Sequence, residues 1–380
     1  NTKIIHTGSA PDLHHGSIND PIYRNSTLIF EDYKSFINSK KKKFTSAYYG
    51  RFSTYTSRRF EKVIKQLYSA KSSVITSSGL SAISISLMSF LNTNDELLIV
   101  DNCYEPVSNF ANSLLSKFGV KTKYYNTNNF KEFTRMVNKK TKLIYLESPG
   151  SLNFEVQDIE KFTNFAKKKG IVTIMDNTWS TFLGCNPLEF GVDIVIESCT
   201  KYFSGHSDAF CGLIVCSKKF YNQLKKTAVQ FGDYVSPDSC FYALRGLKTL
   251  KVRLDQHQKN AEKIYNFLKK EKKIDKIFYL PDQSNVYHKL WKKYHSLSNG
   301  LITFSLKKKG HQQKFLDNLN LFKIGFSWGG YESLIIPIDS LKPSINNSKN
   351  SQFWFRIHVG LESYKDLIFD LKNGLKKYGE

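Results

Sequence analysis

Residues 171–177 read IVTIMDN, an apolar and β-branched run that ends at Asp176. Residues 193–202 read DIVIESCTKY, and this second run ends at Ser198, Thr200 and Lys201. Short runs of this kind, separated by helical periodicity, are typical of parallel strands in βαβ units. Ligands bind such sheets beyond the carboxyl ends of the strands. The two runs therefore predict an α/β fold with a polar site at their ends.

The same alternation extends outward from these two runs, from about residue 70 to residue 231. Strands are predicted at 73–76, 97–100, 121–125, 142–147, 171–176, 193–197 and 213–216. Helices are predicted between them at 80–91, 106–118, 130–138, 159–169 and 219–231. The pattern indicates a doubly wound domain whose mostly parallel seven-stranded sheet carries helices on both faces.

The rest of the chain departs from this rhythm on both sides. A helical stretch from about 244 to 270 leads into a smaller α+β domain, with strands predicted at 301–306, 335–338 and 353–359 and a closing helix at 364–376. The first fifty residues are rich in turns and indicate an arm that needs another surface to pack on. We therefore predict an arm at 1–52, a large domain at 53–245 and a small domain at 246–380.

Composition excludes several classes of protein. The chain has 380 residues, of which 41% are hydrophobic, so disordered and collagen-like classes do not apply. No apolar run approaches the roughly 18 residues that span a bilayer, and we expect a cytoplasmic protein without a membrane partner. Six cysteines with no C-x-x-C pair predict free thiols and no metal site.

The formal charge of +23 raises the question of nucleic acid as a partner. Only eight of the 56 basic residues are arginine, and the lysines are scattered along the chain. No recognisable nucleic-acid-binding module is present. We expect no nucleic-acid partner, and a non-catalytic polyanion-binding protein is kept as the alternative from a different functional class.

Three features at the predicted sheet edge share one chemical purpose. The segment TSSGLSA at 76–82 opens a helix after the first strand, where free N–H groups suit a phosphate. A lysine at a buried strand end can have a depressed pKa and act as nucleophile and base. With Lys201 to bond the cofactor, Asp176 to hold a pyridine nitrogen protonated and a helix start for a phosphate, the set meets the requirements of pyridoxal phosphate (PLP).

The sequence resembles the fold-type I PLP enzymes of cysteine and methionine metabolism, and within them the bacterial cystathionine β-lyases. The resemblance runs from TKIIHTG and PIYRNST near the start to RIHVGLE near the end. Between them lie YGRF, DNCYEP, LESPGS, MDNTW, TKYFSGHSD and SWGGYESL. The resemblance implies the fold-type I transferase fold, with a large PLP-binding domain and an arm that contacts a neighbouring subunit.

The resemblance also implies a role for each residue of the site. Lys201 and Tyr104 are the catalytic residues it implies, and Tyr104 also stacks on the cofactor ring. The implied cofactor-binding residues are Tyr49, Arg51, Gly79, Leu80, Tyr104, Asp176, Ser198, Thr200 and Lys201, with Tyr49 and Arg51 reaching the phosphate of a neighbouring subunit. The implied substrate-binding residues are Ser327, Trp328, Tyr331 and Arg356, with Glu332 on the same side of the pocket.

The implied reaction is β-elimination from L-cystathionine, which gives homocysteine, pyruvate and ammonia in methionine biosynthesis. Cleavage of cysteine or cystine and slow racemisation of alanine are possible side activities. The alternative within the family is γ-chemistry by a cystathionine γ-synthase, a cystathionine γ-lyase or a methionine γ-lyase. Those relatives usually carry E-[ST]-P-x-N-P, whereas residues 147–152 here read ESPGSL. The implied assembly is a homo-oligomer, a dimer of dimers with shared active sites.

Overall fold

The predicted strands of the large domain form one sheet. The computed structural model describes residues 2–46, 48–307, 310–338 and 352–379. Its seven-stranded sheet contains β1 (Ser72–Thr76), β2 (Glu96–Val100), β3 (Lys121–Tyr125), β4 (Thr141–Glu147), β5 (Val172–Asp176), β6 (Ile194–Ser198) and β7 (Gly212–Cys216). The prediction of seven strands is confirmed, and each observed limit lies within one residue of the predicted one.

The topology of this sheet brings the predicted site residues to one edge. The strand order is β1, β7, β6, β5, β4, β2 and β3. β7 is antiparallel to both of its neighbours, and the other paired strands are parallel. Glu147 at the end of β4 pairs with Asp176 at the end of β5, and Asp176 pairs with Ile196 of β6. The ends of β4, β5 and β6 therefore lie side by side.

Helices cover both faces of the large sheet. Every residue of β1, β2 and β7 is buried, although successive side chains point to opposite faces. The helices of this part are α1 (Thr2–His6), α2 (Tyr33–Lys41), α3 (Tyr55–Leu67), α4 (Gly79–Met88), α5 (Glu105–Phe110), α6 (Phe130–Met136), α7 (Ile159–Lys169), α8 (Thr181–Gly184) and α9 (Lys218–Gln230). A π-helical turn at Ala111–Leu115 follows α5, inside the single helix predicted at 106–118.

The helical stretch predicted from about 244 to 270 begins earlier than expected and is divided near residue 248. Two helices are present, α10 (Pro237–Leu247) and α11 (Leu250–Leu268). The carbonyl of Gly246 accepts hydrogen bonds from the backbone N–H of Thr249 and from Nη2 of Arg253, at 3.1 and 2.7 Å. Gly246 also lies against the carbonyl of Phe203, where an added Cβ would be 2.2 Å from the oxygen. These contacts turn the chain between the two helices.

The C-terminal part forms a second sheet, as predicted. Its strands are β8 (Ile274–Phe278), β9 (Leu301–Lys307), β10 (Lys323–Ile324), β11 (Leu334–Ile338) and β12 (Gln352–His358), in the order β10, β11, β12, β9, β8. Its helices are α12 (His288–Tyr294), α13 (Gln312–Asp317) and α14 (Tyr364–Tyr378). The predicted strands correspond to β9, β11 and β12. β8 and β10 were not predicted, and they are the edge strands of the sheet.

The first fifty residues expose much of their apolar surface. Leu13, Ile18, Ile29 and Tyr33 are each at least 78% exposed. Ile4 in α1 is an exception, since it is buried in the core of the large sheet. This exposure agrees with an arm that lacks a core of its own. The domain limits at 52/53 and 245/246 stay predictions.

Three further properties concern membranes, metals and thiols. Among the described residues, every helix is too short or too polar to span a bilayer. The described part of the chain contains no group of three or more His, Cys, Asp or Glu residues that could hold a metal ion. All six cysteines are buried, and none of them forms a disulfide bond.

Candidate active site

Lys201 lies in the turn that follows β6, and a residue of the turn between β10 and β11 contacts its amine. Its backbone N–H donates to the carbonyl of Ser198, which keeps the turn tight. Its Nζ donates to Oγ of Ser327 at 2.6 Å and lies 5.5 Å from the centre of the Trp328 ring. Lys201, Ser327 and Trp328, which the sequence placed in one site, are therefore in contact.

The turn that carries Ser327 has an unusual backbone. Ser327 has a φ of +96°, which is rare for a residue with a side chain, and Gly329 has a φ of +88°. A Cβ added to Gly329 would lie 3.0 Å from the backbone nitrogen of Tyr202 and 3.1 Å from the carbonyl carbon of Lys201. The turn thus packs directly on the backbone of the lysine that it contacts, and only glycine fits this approach.

The surroundings of Lys201 favour its neutral amine. Its pKa is lowered from 10.5 to about 8, chiefly by burial and also by the guanidinium of Arg356, while the carboxylate of Asp176 acts in the opposite direction. Loss of hydration disfavours an ammonium ion, as does a neighbouring positive charge. About a tenth of Lys201 is therefore a free amine at pH 7 and about half at pH 8, far more than for an ordinary lysine.

Asp176 ends β5 within the same group of charges. Its Oδ1 accepts a hydrogen bond of 2.8 Å from the backbone N–H of Thr178. Burial raises the pKa of Asp176, while the contacts with Thr178 and the charge of Lys201 lower it. A carboxylate that is poorly hydrated and only partly neutralised attracts a further positive group, such as a protonated ring nitrogen.

Tyr104 stands at the start of α5, fixed by the end of β4. Its backbone N–H donates to Oε2 of Glu147 at 2.8 Å, and its side chain is 45% exposed. Burial raises the pKa of its phenol, as do the carboxylates of Asp176 and Glu147. The hydroxyl therefore stays protonated at neutral pH and can donate a hydrogen bond to a ligand. The ring of Tyr104 is available for stacking on the same ligand.

The turn before α4 has the form of an anion cradle. The N–H groups of Gly79 and Leu80 lie in the first turn of α4, where they lack intrahelical partners. A Cβ added to Gly79 would be 2.6 Å from Cβ of Ser198, so the helix start is pressed against the end of β6. Ser198 and the helix N-terminus therefore face one another, as a phosphate site requires.

Thr200 and Asp233 organise the surroundings of this cradle. The backbone N–H of Cys211 donates to Oγ1 of Thr200 at 3.2 Å, which ties the lysine turn to the residue before β7. Asp233 accepts hydrogen bonds from Oγ of Ser77 and Oγ of Ser81, both at 2.6 Å. Sequence analysis missed Asp233, since no motif connects it with a segment 156 residues away.

Arg356 lies on β12 with its side chain turned into the site. The residue is 8% exposed, and burial lowers the pKa of its guanidinium to about 10, opposed by Tyr104 and Tyr202. No described residue accepts a hydrogen bond from this guanidinium. A buried cation in this situation is suited to a ligand carboxylate, which it can bind through two parallel hydrogen bonds.

The remaining predicted residues lie at the rim or beyond it. Tyr331 is 55% exposed, and Glu332 accepts a hydrogen bond from Ser207, so it supports the loop after Lys201. Tyr49 is 41% exposed, and Nη1 of Arg51 donates to the carbonyl of Val229 at 2.8 Å. No described contact joins Tyr49 or Arg51 to Lys201 within one chain, so their implied reach into a neighbouring subunit stays a prediction.

The residues that meet here fit pyridoxal phosphate. An amine with a lowered pKa and a carboxyl that interacts with it lie at the same sheet edge as an aromatic ring and a helix start that is pressed against Ser198. The group would be held by Lys201, Asp176, Tyr104 and the 78–80 turn. Arg356 remains free for the carboxylate of an amino acid.

Comparisons with known proteins agree with this assignment. The sequence matches the model of a family described as Cys/Met metabolism PLP-dependent enzyme over residues 1–376. It is 32% identical to the L-alanine/L-glutamate racemase of Wolbachia pipientis wMel, over 98% of this chain and 96% of that protein. It is 31% identical to the cystathionine β-lyase MetC of Escherichia coli (strain K12), over 99% of this chain and 98% of that protein.

A solved structure adds the cofactor. The fold is similar, with a TM-score of 0.91 and 25% identity over 99% of each chain, to a putative O-acetylhomoserine (thiol)-lyase from Campylobacter jejuni subsp. jejuni NCTC 11168. That structure contains N'-pyridoxyl-lysine-5'-monophosphate. Since a lyase and a racemase are about equally similar to this chain, the reaction has to be argued from the site.

The charge balance at Lys201 predicts the effect of two substitutions. Arg356→Gln should raise the pKa of Lys201 above about 8, because it removes a neighbouring cation, and Asp176→Asn should lower it, because it removes an anion. The pH dependence of acylation at Lys201, followed by mass spectrometry of the full-length chain freed of cofactor, measures both. Arg245→Gln, an exposed residue of α10, is the matched control. An unchanged midpoint in Arg356→Gln would show that the guanidinium does not act on Lys201.

Proposed function

The chain belongs to the Cys/Met metabolism family of PLP-dependent enzymes and is a PLP-dependent carbon–sulfur lyase, and from this premise we propose that it cleaves L-cystathionine by β-elimination. The products are homocysteine, pyruvate and ammonia. The observation that carries the proposal is the proximity of the Lys201 amine, which Ser327 contacts, to the buried guanidinium of Arg356, for which no described residue is a hydrogen-bond acceptor. One group can take a proton from an amino acid whose carboxylate the other group holds.

Arg356 fixes the substrate before any bond is broken. Its planar guanidinium matches both oxygens of an α-carboxylate, and its burial strengthens that charged hydrogen bond. Two-point binding restricts rotation of the substrate, so the Cα–H bond can be directed at one base. Tyr104 borders the same space and supplies a hydroxyl that stays protonated.

Lys201 carries the proton transfers. The bound cofactor withdraws electron density from the substrate α-carbon, as PLP does in general. The Lys201 amine accepts the α-proton, and it can then donate a proton to the sulfur as the Cβ–S bond breaks. A base with a pKa of about 8 is well matched to both steps near neutral pH. Ser327 keeps Nζ in reach of the reacting carbon.

One sequence feature favours β-elimination over γ-chemistry. γ-Chemistry requires that a second proton be removed from Cβ, and relatives that perform it usually carry E-[ST]-P-x-N-P. Residues 147–152 depart from that pattern at Ser151 and Leu152. Cysteine and cystine, which share the β-sulfur, are further candidate substrates.

The direct test is product analysis with L-cystathionine. We expect the holoenzyme to release pyruvate and homocysteine in equal amounts, and Lys201→Ala to lose both this activity and the visible absorbance of the bound cofactor. Release of 2-oxobutyrate and cysteine would instead identify a γ-lyase. A colourless protein that binds DNA at physiological salt would support the alternative of a non-catalytic polyanion-binding protein, against which its family membership argues.

A shared active site in a homo-oligomer, with a dimer of dimers as the assembly, is part of the proposal. It is supported by the exposed apolar residues of the arm. It is also supported by Arg51, which contacts Val229 and, among the described residues, makes no contact with Lys201 of its own chain. If Arg51 serves the neighbouring site, each hybrid of Arg51→Ala and Lys201→Ala subunits contains one intact site.

Mixing these two variants should therefore restore activity. With free exchange of subunits, about a quarter of the sites become intact in a two-fold assembly. Arg51→Ala alone should retain cofactor poorly. The control is a mixture of Lys201→Ala with Arg356→Ala, two residues expected in the same site, which should gain nothing. If the first mixture also gains nothing, Arg51 acts in its own subunit or not at all.

A second activity, the racemisation of alanine, is favoured by the protonated phenol of Tyr104 and by the similarity to a racemase. Alanine has no leaving group on Cβ, so an abstracted α-proton can only be replaced. Replacement by Lys201 restores the L-form, whereas delivery from the Tyr104 side gives the D-form. Positioned acids contribute only about 10² to 10⁴-fold, so this reaction should be much slower than elimination.

Incubation of L-alanine with the holoenzyme in D₂O separates these outcomes. We expect deuterium in L-alanine together with slow formation of deuterated D-alanine, and Tyr104→Phe should reduce the D-product more than the exchange. Chiral chromatography with mass spectrometry gives both quantities. Exchange without any D-alanine would confine protonation to the Lys201 side and exclude racemisation.

A further inference from the structure

A buried histidine lies behind the turn that contacts Lys201. His358 is two residues after Arg356 on β12, so the two side chains point to the same face of that strand. It is 1% exposed, and its Nε2 lies 3.1 Å from the carbonyl oxygen of Gly330. Gly330 ends the 327–330 turn, whose first residue accepts the hydrogen bond from the Lys201 amine.

The partner of His358 fixes the tautomer of its ring. A carbonyl oxygen can only accept, so Nε2 must carry the hydrogen and Nδ1 must be unprotonated in the neutral ring. The ring of His257 lies 4.9 Å away, and its Nδ1 faces the carbonyl of Val359 at 2.9 Å. By the same reasoning, His257 carries its hydrogen on Nδ1. Both imidazoles are thus neutral, and each donates one hydrogen bond to a backbone carbonyl.

The charges around His358 oppose its protonation. Lys201, Arg356 and His257 face it, and each is a cation or can become one; burial and these neighbours hold the pKa of His358 well below its usual value. The carboxylate of Glu332 lies beside Gly330, and its Oε1 accepts a hydrogen bond from Ser207. A neutral ring with a permanent Nε2–H therefore faces Gly330 at all physiological pH values.

We propose that His358 is a positioning residue that holds the 327–330 turn against Lys201 through the donation of its Nε2–H to the carbonyl of Gly330. The turn requires such support, because Ser327 adopts a left-handed backbone and Gly329 rests on the backbone of Lys201. The imidazole reaches the turn from β12, the strand that also presents Arg356. One strand thus sets the positions of both the base and the carboxylate-binding group, whichever amino acid is the substrate.

The test compares two substitutions of His358 whose side chains differ in length. In His358→Gln, the amide nitrogen takes about the place of Nε2 and can still donate to Gly330. In His358→Asn, the side chain is too short to do so. The same substitution at a second buried histidine, His295→Asn, is the matched control, since His295 bonds Ser180 and has no described contact with the turn.

The readout is the pH midpoint of acylation at Lys201 in the full-length chain freed of cofactor. In His358→Asn the turn loosens and water reaches the amine, so the midpoint should rise by about one unit, which lowers the free-amine fraction at pH 8 about five-fold. His358→Gln and His295→Asn should keep the midpoint of the unaltered protein. An unaltered midpoint in His358→Asn overturns the proposal, as does an equal shift in His358→Gln or in His295→Asn.

A second measurement requires no variant, in case His358→Asn does not fold. The ¹⁵N chemical shifts of the His358 ring in the holoenzyme report which of its nitrogens carries hydrogen. We expect a protonated Nε2 and an unprotonated Nδ1 between pH 6 and 8. An unprotonated Nε2 could not donate to the carbonyl of Gly330 and would overturn the proposal. Neither readout depends on substrate, so their failure is distinct from failure of the proposed reaction.

Discussion

The hydrogen bond from the Lys201 amine to Ser327 joins the two sheets at the point where the chemistry is placed. The lysine belongs to the carboxyl edge of the large sheet, and the serine belongs to a turn beside the small one. A long flexible side chain at a sheet edge would otherwise sample many rotamers, at a cost in entropy for each productive encounter. The contact removes this freedom, while burial of the amine and the charge of Arg356 hold its pKa near 8.

This arrangement is electrostatically unfavourable in the absence of ligands. Lys201 and Arg356 are two cations in one poorly hydrated space, and Asp176 is the carboxylate that opposes them. Each group has a pKa displaced toward its neutral form by burial. Ligands that bring a phosphate, a protonated ring nitrogen and a carboxylate would relieve this imbalance, because each supplies the charge that one residue lacks. The unbalanced buried charges are thus consistent with a site that binds a cofactor and an amino acid together.

The phosphate end of the site follows a different rule. It uses backbone N–H groups at the start of α4 and relies on close contact between Gly79 and Ser198. Asp233 holds the 77–81 segment in place, because it accepts hydrogen bonds from the hydroxyl groups of Ser77 and Ser81. A carboxylate beside an anion site weakens the electrostatic attraction, so its contribution here is to fix the loop rather than to attract the phosphate. The lysine-rich composition takes no part in this cradle, in agreement with its scattered distribution along the sequence.

The sequence by itself determined the large sheet, its helices and the residues that end its central strands. Strand and helix periodicity is local, and the rule that parallel strands present their carboxyl ends together places Asp176 and Lys201 at one edge without further information. The roles of Ser327 and Arg356 came from a resemblance rather than from periodicity, because 126 residues separate Ser327 from the lysine that it contacts. Only the tertiary structure decided the break between α10 and α11, where Arg253 donates a hydrogen bond to the carbonyl of Gly246. The same holds for the contact of Asp233 with Ser77 and for that of His358 with Gly330. Such contacts depend on how whole sheets and helices pack against each other, and no local pattern encodes that packing.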